Sequence, residues 1–261
     1  MSGIDANTGI LLCGHGSRDE ETRTEFEVFV AAIRNALANK LSSVVEGAHL
    51  EFSQPTIGEG FAKLVDAGVK RIVAQPLMLF AARHAKKDVP GEARAFAAAH
   101  PGIRIDCGHE LSLDGKLLAA AEDRVNEAEA SKESFVRRSD TLLLVIGRGS
   151  SDPEANYILV ELALKLREAL GMAKADIAFA GIAEPNVADG LDRAARQGFS
   201  RVVVLPYFLF TGVLTKRIHA LAADTASKHP DVQFLVARHL ANHPLLIETV
   251  VDRILDLERA G

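Results

Sequence analysis

The chain is written twice, and that duplication limits what it can fold into more than any other feature. Pro55 to Phe80 can be laid over Pro185 to Phe210, 130 residues further on. The identities are Pro55/Pro185, Gly60/Gly190, Gly68/Gly198, Arg71/Arg201, Val73/Val203, Pro76/Pro206, Leu79/Leu209 and Phe80/Phe210. Several are Gly or Pro, the residues that dictate backbone shape. Near the start of each half, Gly14-His15-Gly16-Ser17-Arg18-Asp19 faces Gly147-Arg148-Gly149-Ser150-Ser151-Asp152 at an offset of 133. Two such matches in the same order identify an internal repeat.

Each half reads as strand then helix, four times. Gly9 to Cys13 is an apolar run ending at a Gly-rich turn, the pattern of a strand buried on both faces. Phe26, Phe29, Val30, Ile33 and Leu37 follow with helical spacing. A second strand is predicted near 45–52, with His49 and Glu51 on one face by alternation. A third covers 71–75 and stops at Pro76, and a helix with Pro90 near its start runs to about residue 99. A fourth strand over 103–107 and an Ala-rich helix over 113–130 complete the first repeat. In the second half, strands are expected near 142–146, 177–182, 202–205 and 232–236. Asp152 and Pro153 suit the cap and first turn of a helix with the stripe Ala155, Leu159, Leu162, Leu166 and Leu170. The last helix is predicted from Pro244 to about Glu258. Alternating strands and helices imply parallel sheets covered on both faces. The expected fold is therefore α/β: two similar lobes, each a parallel sheet of about four strands flanked by helices, related by a pseudo-twofold. Ligand is expected at the carboxyl ends of the strands.

Composition narrows the function. A chain of 261 residues, 48% hydrophobic and 25% charged, is ordinary globular material rather than a disordered tract. The net charge of −5 and a pI near 6.0 argue against a bulk-basic nucleic-acid binder. The lack of Trp and the presence of only two Tyr argue against a stacking platform for single strands. No apolar run approaches the roughly 18 residues of a membrane span. Residues 1–8 lack the basic start and apolar stretch of a secretory signal. Cys13 and Cys107 form no CxxC, which argues against a cysteine zinc site, an iron–sulfur cluster or a disulfide scaffold. The expected setting is the reducing cytoplasm.

Three places invite chemistry. In the turn 13–18, glycines on both sides of His15 let a ligand approach closely, although an isolated GHGS is as readily a tight turn with an incidental histidine. In the segment 82–88, His84 also follows a strand, so two histidines stand at carboxyl ends and can converge on one metal ion or one proton-transfer site. Glu51, after the second strand, completes a His/His/Glu set suited to a divalent metal, though spacing alone also fits a surface carboxylate. The third place is the matching ring of the second half. There Arg148 replaces His15, Leu214 replaces His84, and Gly181 faces Glu51. That half offers cations instead: Arg148, Lys216 and Arg217. With Arg18, Arg83, Lys86 and Lys87 they suit a polyanion, and each alone is equally an ordinary solvated charge. The turn around Ser150 also has backbone N–H groups to offer a carboxylate. The organisation expected is an N-terminal repeat with the histidines over 1–131, a polar linker over 132–140 and a C-terminal repeat without them over 141–261. His100 and His229 sit at matching helix ends, and His109 and His239 at matching positions before each last helix, so structural roles are expected for them. His49, His219 and His243 carry no pattern. No nucleotide-binding glycine motif and no GxSxG is present.

The segments ILLCGHGSRDEE, EFSQPTI and PLMLFAARHAKKDVP resemble the sirohydrochlorin chelatases. GRGSSDPEAN and AEPNVADGLDRAARQGFSRVVVLPYFLFTGVLTKRI resemble the long, two-repeat, cobalt-inserting members of that family. The resemblance covers about residues 9–254. It implies ATP-independent insertion of Co²⁺ into sirohydrochlorin on the way to cobalamin, with insertion of Fe²⁺ for siroheme, or of Ni²⁺, as alternatives. It implies that His15, His84 and Glu51 bind the incoming metal and accept the two pyrrole protons. Ser17, Arg18, Arg83, Lys86, Arg148, Ser150, Lys216 and Arg217 are then expected to hold the substrate's carboxylates. No permanently bound cofactor is expected, the metal being substrate, and a monomer is expected because the two repeats are already one chain. A non-catalytic tetrapyrrole carrier or metallochaperone is the reading from a different class. Two departures stand out. Arg83 occupies the place where the family usually has Gly, and no histidine-rich or iron–sulfur extension follows, so no cluster is expected.

Overall fold

The computed structural model describes residues 8–38, 40, 44–80, 88–132 and 135–260. The first four strands are β1 (Thr8–Gly14), β2 (Val44–His49), β3 (Arg71–Pro76) and β4 (Arg104–Cys107), alternating with α1 (Glu20–Leu37), α2 (Ile57–Asp66), α3 (Val89–Ala99) and α4 (Gly115–Ala130). The second set is β5 (Thr141–Gly147), β6 (Lys174–Phe179), β7 (Arg201–Pro206) and β8 (Gln233–Val236), with α5 (Pro153–Leu170), α6 (Val187–Ala195), α7 (Val213–Lys228) and α8 (Pro244–Ala260). Both sheets are parallel, in the orders β2-β1-β3-β4 and β6-β5-β7-β8. The duplication thus appears as the same topology built twice.

Local chemistry explains the element boundaries. Central strands β1 and β5 are buried along their whole length, as their unbroken apolar runs require. The side chains of Asp19 and Asp152 accept from the backbone N–H groups of Glu21 and Glu154, which caps α1 and α5. Thr56 and Glu59 form a capping box on α2. The stripes read for α1 and α5 are the faces these helices bury. Below the sheets lie two matching cores, one around Leu11, Ile72 and Phe61, the other around Leu144, Val202 and Leu191.

Two expectations change. Alternation through 45–52 puts His49 and Glu51 on one strand face, but β2 ends at His49. Beyond it the chain turns: Ser53 donates its N–H to the Glu51 carbonyl, Phe52 takes φ of 61°, and the Gln54–Pro55 bond is cis. His49 is therefore buried, while Glu51 lies exposed in a loop. Likewise β6 stops at Phe179, and Ile182 is exposed.

The last helix of each repeat lies in the compact unit of the other repeat. The chain forms two compact units, one made of residues up to Ser112 plus those from Asn242 onward, the other of Leu113 to Ala241. Helix α4 packs on α5 and β7, and α8 packs on α1 and β3. Each repeat thus contributes its last helix to the other repeat's sheet. In the first unit Arg71, at the start of β3, reaches Glu258 of α8 at 3.4 Å and Asp106 at 2.8 Å. In the second, Arg201 at the start of β7 reaches Glu129 of α4 at 3.4 Å, and Arg138 pairs with the same carboxylate at 2.6 Å. Among the described residues no helix is long and apolar enough to cross a membrane.

Candidate functional site

In the first unit the carboxyl ends of β1 and β2 lie side by side, with Gly14 opposite His49. Beyond them the backbone stays paired. Leu50 donates to the carbonyl of Gly14 at 3.0 Å, and Glu51 to the carbonyl of His15 at 2.9 Å. The end of β3 is tied in as well, since Leu77 donates to the Cys13 carbonyl at 2.9 Å. Two glycines permit this. A Cβ on Gly14 would lie 2.7 Å from the Phe26 ring, and Gly16, at φ of 92°, lies so close to the Glu51 carbonyl that a Cβ would collide with it. The GHGS turn is thus the seat on which the Glu51 loop rests.

The turn is braced by serines. The Ser17 N–H donates to Ser53 Oγ at 3.1 Å, and the Ser53 hydroxyl donates back to the Ser17 carbonyl at 2.7 Å. Ser17 Oγ in turn accepts from the Asp19 N–H at 3.0 Å, just ahead of α1. The structure joins His15 to Glu51 through their backbones and sets His15 and Arg18 around a common neighbour. That neighbour is Phe52, whose ring lies 4.9 Å from the Arg18 guanidinium and 6.2 Å, edge-on, from the His15 imidazole. His84, Arg83, Lys86 and Lys87 lie outside the described residues. Among the described residues no three His, Cys, Asp or Glu side chains gather closely enough to hold a metal. A His15/Glu51 site therefore needs a further ligand, and His84 is the one the sequence offers.

The second unit repeats the frame with other side chains. Gly181 donates to the Arg148 carbonyl at 2.7 Å, which is the bond Glu51 makes to His15. Arg148 and Gly181 thus stand where the first unit has His15 and Glu51, and Arg148 is exposed. Here Asn156 does what Ser53 does in the first unit, accepting from the Ser150 N–H and donating to the Ser150 carbonyl, both at 2.8 Å. Ser150 Oγ accepts from Asp152. Three N–H groups of this turn, on Ser150, Asp152 and Glu154, are therefore already engaged by side chains. Lys216 and Arg217 are exposed in the first turn of α7.

Sequence reasoning passed over two residues. Phe52 lies within the EFSQPTI segment, but its exposure and its positive φ are properties of the folded turn. His49 is 6% exposed, its ring 4.4 Å from Phe26, and its Nδ1 is buried without a hydrogen-bond partner. Burial, and then the charge of Arg23, pushes its pKa below the usual histidine range. One signal was available for it: the second repeat has Phe179 at that register, so the position is an apolar one. Other histidines are structural. His100 stacks on Phe96 and bonds its carbonyl at 2.9 Å, the His109 carbonyl accepts from the buried amide of Gln75, and His243 Nδ1 accepts from Leu245. His229 lies 3.7 Å from Asp192.

Comparison with known proteins agrees with this architecture. The CbiX family model matches residues 9–128 and again 142–257. A sirohydrochlorin cobaltochelatase of Priestia megaterium is 30% identical over 244 residues, 94% of this chain and 78% of that protein. A sirohydrochlorin ferrochelatase of the same organism is also 30% identical, over 92% of this chain and 86% of that protein. The structure of SirB from Bacillus subtilis with Fe³⁺ superposes with a TM-score of 0.83 at 27% identity, covering 97% of this chain and 96% of that one. A second SirB structure, in complex with cobalt, superposes with a TM-score of 0.80 at 26% identity, covering 98% and 97%. The chain is a two-repeat member of the CbiX family of sirohydrochlorin chelatases.

Proposed function

We propose that this chain inserts Co²⁺ into sirohydrochlorin without ATP, the product feeding cobalamin synthesis. The observation that carries the reading is the backbone bond from Glu51 to His15. It ties the residue that bears the imidazole to the residue that bears the carboxylate through their backbones, at the carboxyl end of the sheet, in the one repeat that has both.

Metallation replaces two pyrrole N–H protons by one M²⁺ ion. The metal must be delivered and the protons removed at the same place. His15 would supply a ring nitrogen, Glu51 an oxygen ligand or proton acceptor, and His84 the third group. Such a mixed N/O set suits Co²⁺, and it suits Fe²⁺ nearly as well because donor type discriminates weakly between them. The ferrochelatase name among relatives of equal identity makes iron insertion for siroheme the second reading. The substrate's carboxylates would pair with cations, the exposed Arg18 together with Arg83 and Lys86 in the first repeat and the exposed Arg148, Lys216 and Arg217 in the second. Ser17 and Ser150 would act through the turns they brace.

The test is an optical assay of the purified chain with sirohydrochlorin and Co²⁺, Fe²⁺ or Ni²⁺ in turn, without ATP. A rate well above spontaneous insertion, fastest with Co²⁺, supports the reading. A fastest rate with Fe²⁺ moves the chain to the siroheme branch. Tight tetrapyrrole binding without acceleration identifies a carrier.

A further inference from the structure

Phe52 is an exposed aromatic ring held in a conformation that bulky side chains avoid. It is 55% exposed, and its φ is 61°. A non-glycine residue in the left-handed region is strained, and such strain persists where the surroundings enforce it, commonly at functional sites. Here the surroundings are identifiable. Glu51 is pinned to His15 on one side, and on the other Ser53 is locked to Ser17 by two hydrogen bonds. Between these anchors the chain must turn, and the turn carries the Phe52 side chain outward beside the His15 ring. Arg18 lies over it at 4.9 Å, within cation–π range. The second repeat shows that the fold does not demand this. At the matching place it has Ile182, which is exposed but is not in the left-handed region.

An exposed ring beside a proton acceptor and beneath a guanidinium suits one kind of ligand, a flat conjugated ring system bearing anionic groups. We propose that Phe52 is a specificity-determining residue of this chain. Its ring packs against the face of the macrocycle next to His15 and Glu51, and Arg18, steadied on that ring, pairs with a peripheral carboxylate. The inference rests on the sirohydrochlorin reading above and deepens it by saying what holds a face of the macrocycle against its metal-inserting groups. Phe52 touches substrate and takes no proton, so it governs binding rather than the chemical step.

The experiment titrates metal-free sirohydrochlorin into the full chain by fluorescence quenching, then measures kcat and KM for Co²⁺ insertion, in Phe52→Leu, Phe52→Trp, Phe52→Gly and the unsubstituted protein. Aromatic stacking of this kind is worth about five- to hundredfold in affinity. Phe52→Leu should raise Kd and KM within that range with kcat nearly unchanged, and Phe52→Trp should restore both. Phe52→Gly should weaken binding while raising the melting temperature, because glycine relieves the positive φ. A merely structural role would not produce that opposition. Unaltered Kd and KM in Phe52→Leu and Phe52→Gly, with the unsubstituted chain active, would overturn this inference alone. So would a fall in kcat at constant Kd. Failure of the unsubstituted chain both to bind sirohydrochlorin and to accelerate metal insertion would overturn the functional reading and this inference with it.

Discussion

Glu51 donates its backbone N–H to the carbonyl of His15 at 2.9 Å, and Gly181 makes the corresponding bond to Arg148 at 2.7 Å in the second repeat. One backbone frame therefore presents an imidazole and a carboxylate once, and a guanidinium and no side chain the other time. After duplication the two turns have kept their geometry and diverged in chemistry. Arg148→Ala is predicted to raise the KM for sirohydrochlorin and leave kcat close to that of the unsubstituted chain, since a carboxylate contact is made equally in ground and transition states. Steady-state insertion kinetics check this.

Gly16→Ala should be far more costly than Gly68→Ala. Both glycines have positive φ, 92° and 87°. At Gly68 a Cβ meets nothing within 4 Å, so only the backbone penalty of about 1 kcal/mol applies. At Gly16 the Cβ would strike the Glu51 carbonyl, so the two loops must part. Urea unfolding should separate the variants by more than about 1 kcal/mol. Only Gly16→Ala should also lose chelatase activity.

Ser53→Ala and Asn156→Ala remove the same brace in the two units. Each leaves the N–H and C=O of one partly buried serine without its side-chain partner, costing about 1–3 kcal/mol. The stability losses should be similar. Turnover should fall in Ser53→Ala, whose turn carries His15, and KM should rise in Asn156→Ala, whose turn carries Arg148. Melting temperatures alongside kinetics check both halves.

Glu129→Gln should destabilise more than Glu258→Gln. Glu129 serves both Arg138 and the buried Arg201, whereas Arg71 keeps Asp106 at 2.8 Å when Glu258 is neutralised. Breaking an ion pair around a buried guanidinium costs about 3–5 kcal/mol. Denaturant midpoints of the two variants decide the order.

Cys13 should resist alkylation in the native protein while Cys107 reacts slowly. Burial pushes both thiols above their ordinary range, Cys13 furthest, and Arg94 partly offsets the effect at Cys107. A thiol whose pKa is raised on folding favours the native state below its unfolded pKa of about 9.0 and loses that contribution as pH rises further. Stability should therefore decline above about pH 9, and less steeply in Cys13→Ala. Mass-spectrometric mapping of the label and unfolding curves across alkaline pH test these statements.

The duplication, the alternation of strands and helices, and the caps at Asp19 and Asp152 are legible in the sequence because each rests on local chemistry. So is the exchange of His15 for Arg148 at matching turns. What is not legible depends on contacts between distant residues. The apolar stripe of α4 identifies a helix that packs on a sheet, but the two sheets are homologous, so the stripe does not say which. The alternation of His49, Leu50 and Glu51 reads as continuing strand because the turn that ends it is fixed by the hold of Ser53 on Ser17, far away in sequence. Phe52 escapes notice for the same reason: its exposure and its φ are imposed by Ser53 gripping Ser17. His49 is hidden because a buried histidine and a surface histidine look alike until Phe26 is placed against one of them.

If the His15–Glu51 pair performs metal insertion, single-turnover Co²⁺ insertion into pre-bound sirohydrochlorin by His15→Ala, with tetrapyrrole affinity measured on the same sample, will show it. His15→Ala is expected to leave the affinity unchanged and to lower the insertion rate by about 10²-fold or more, the usual worth of a positioned proton acceptor. Insertion at the unsubstituted rate, with affinity intact, would contradict it.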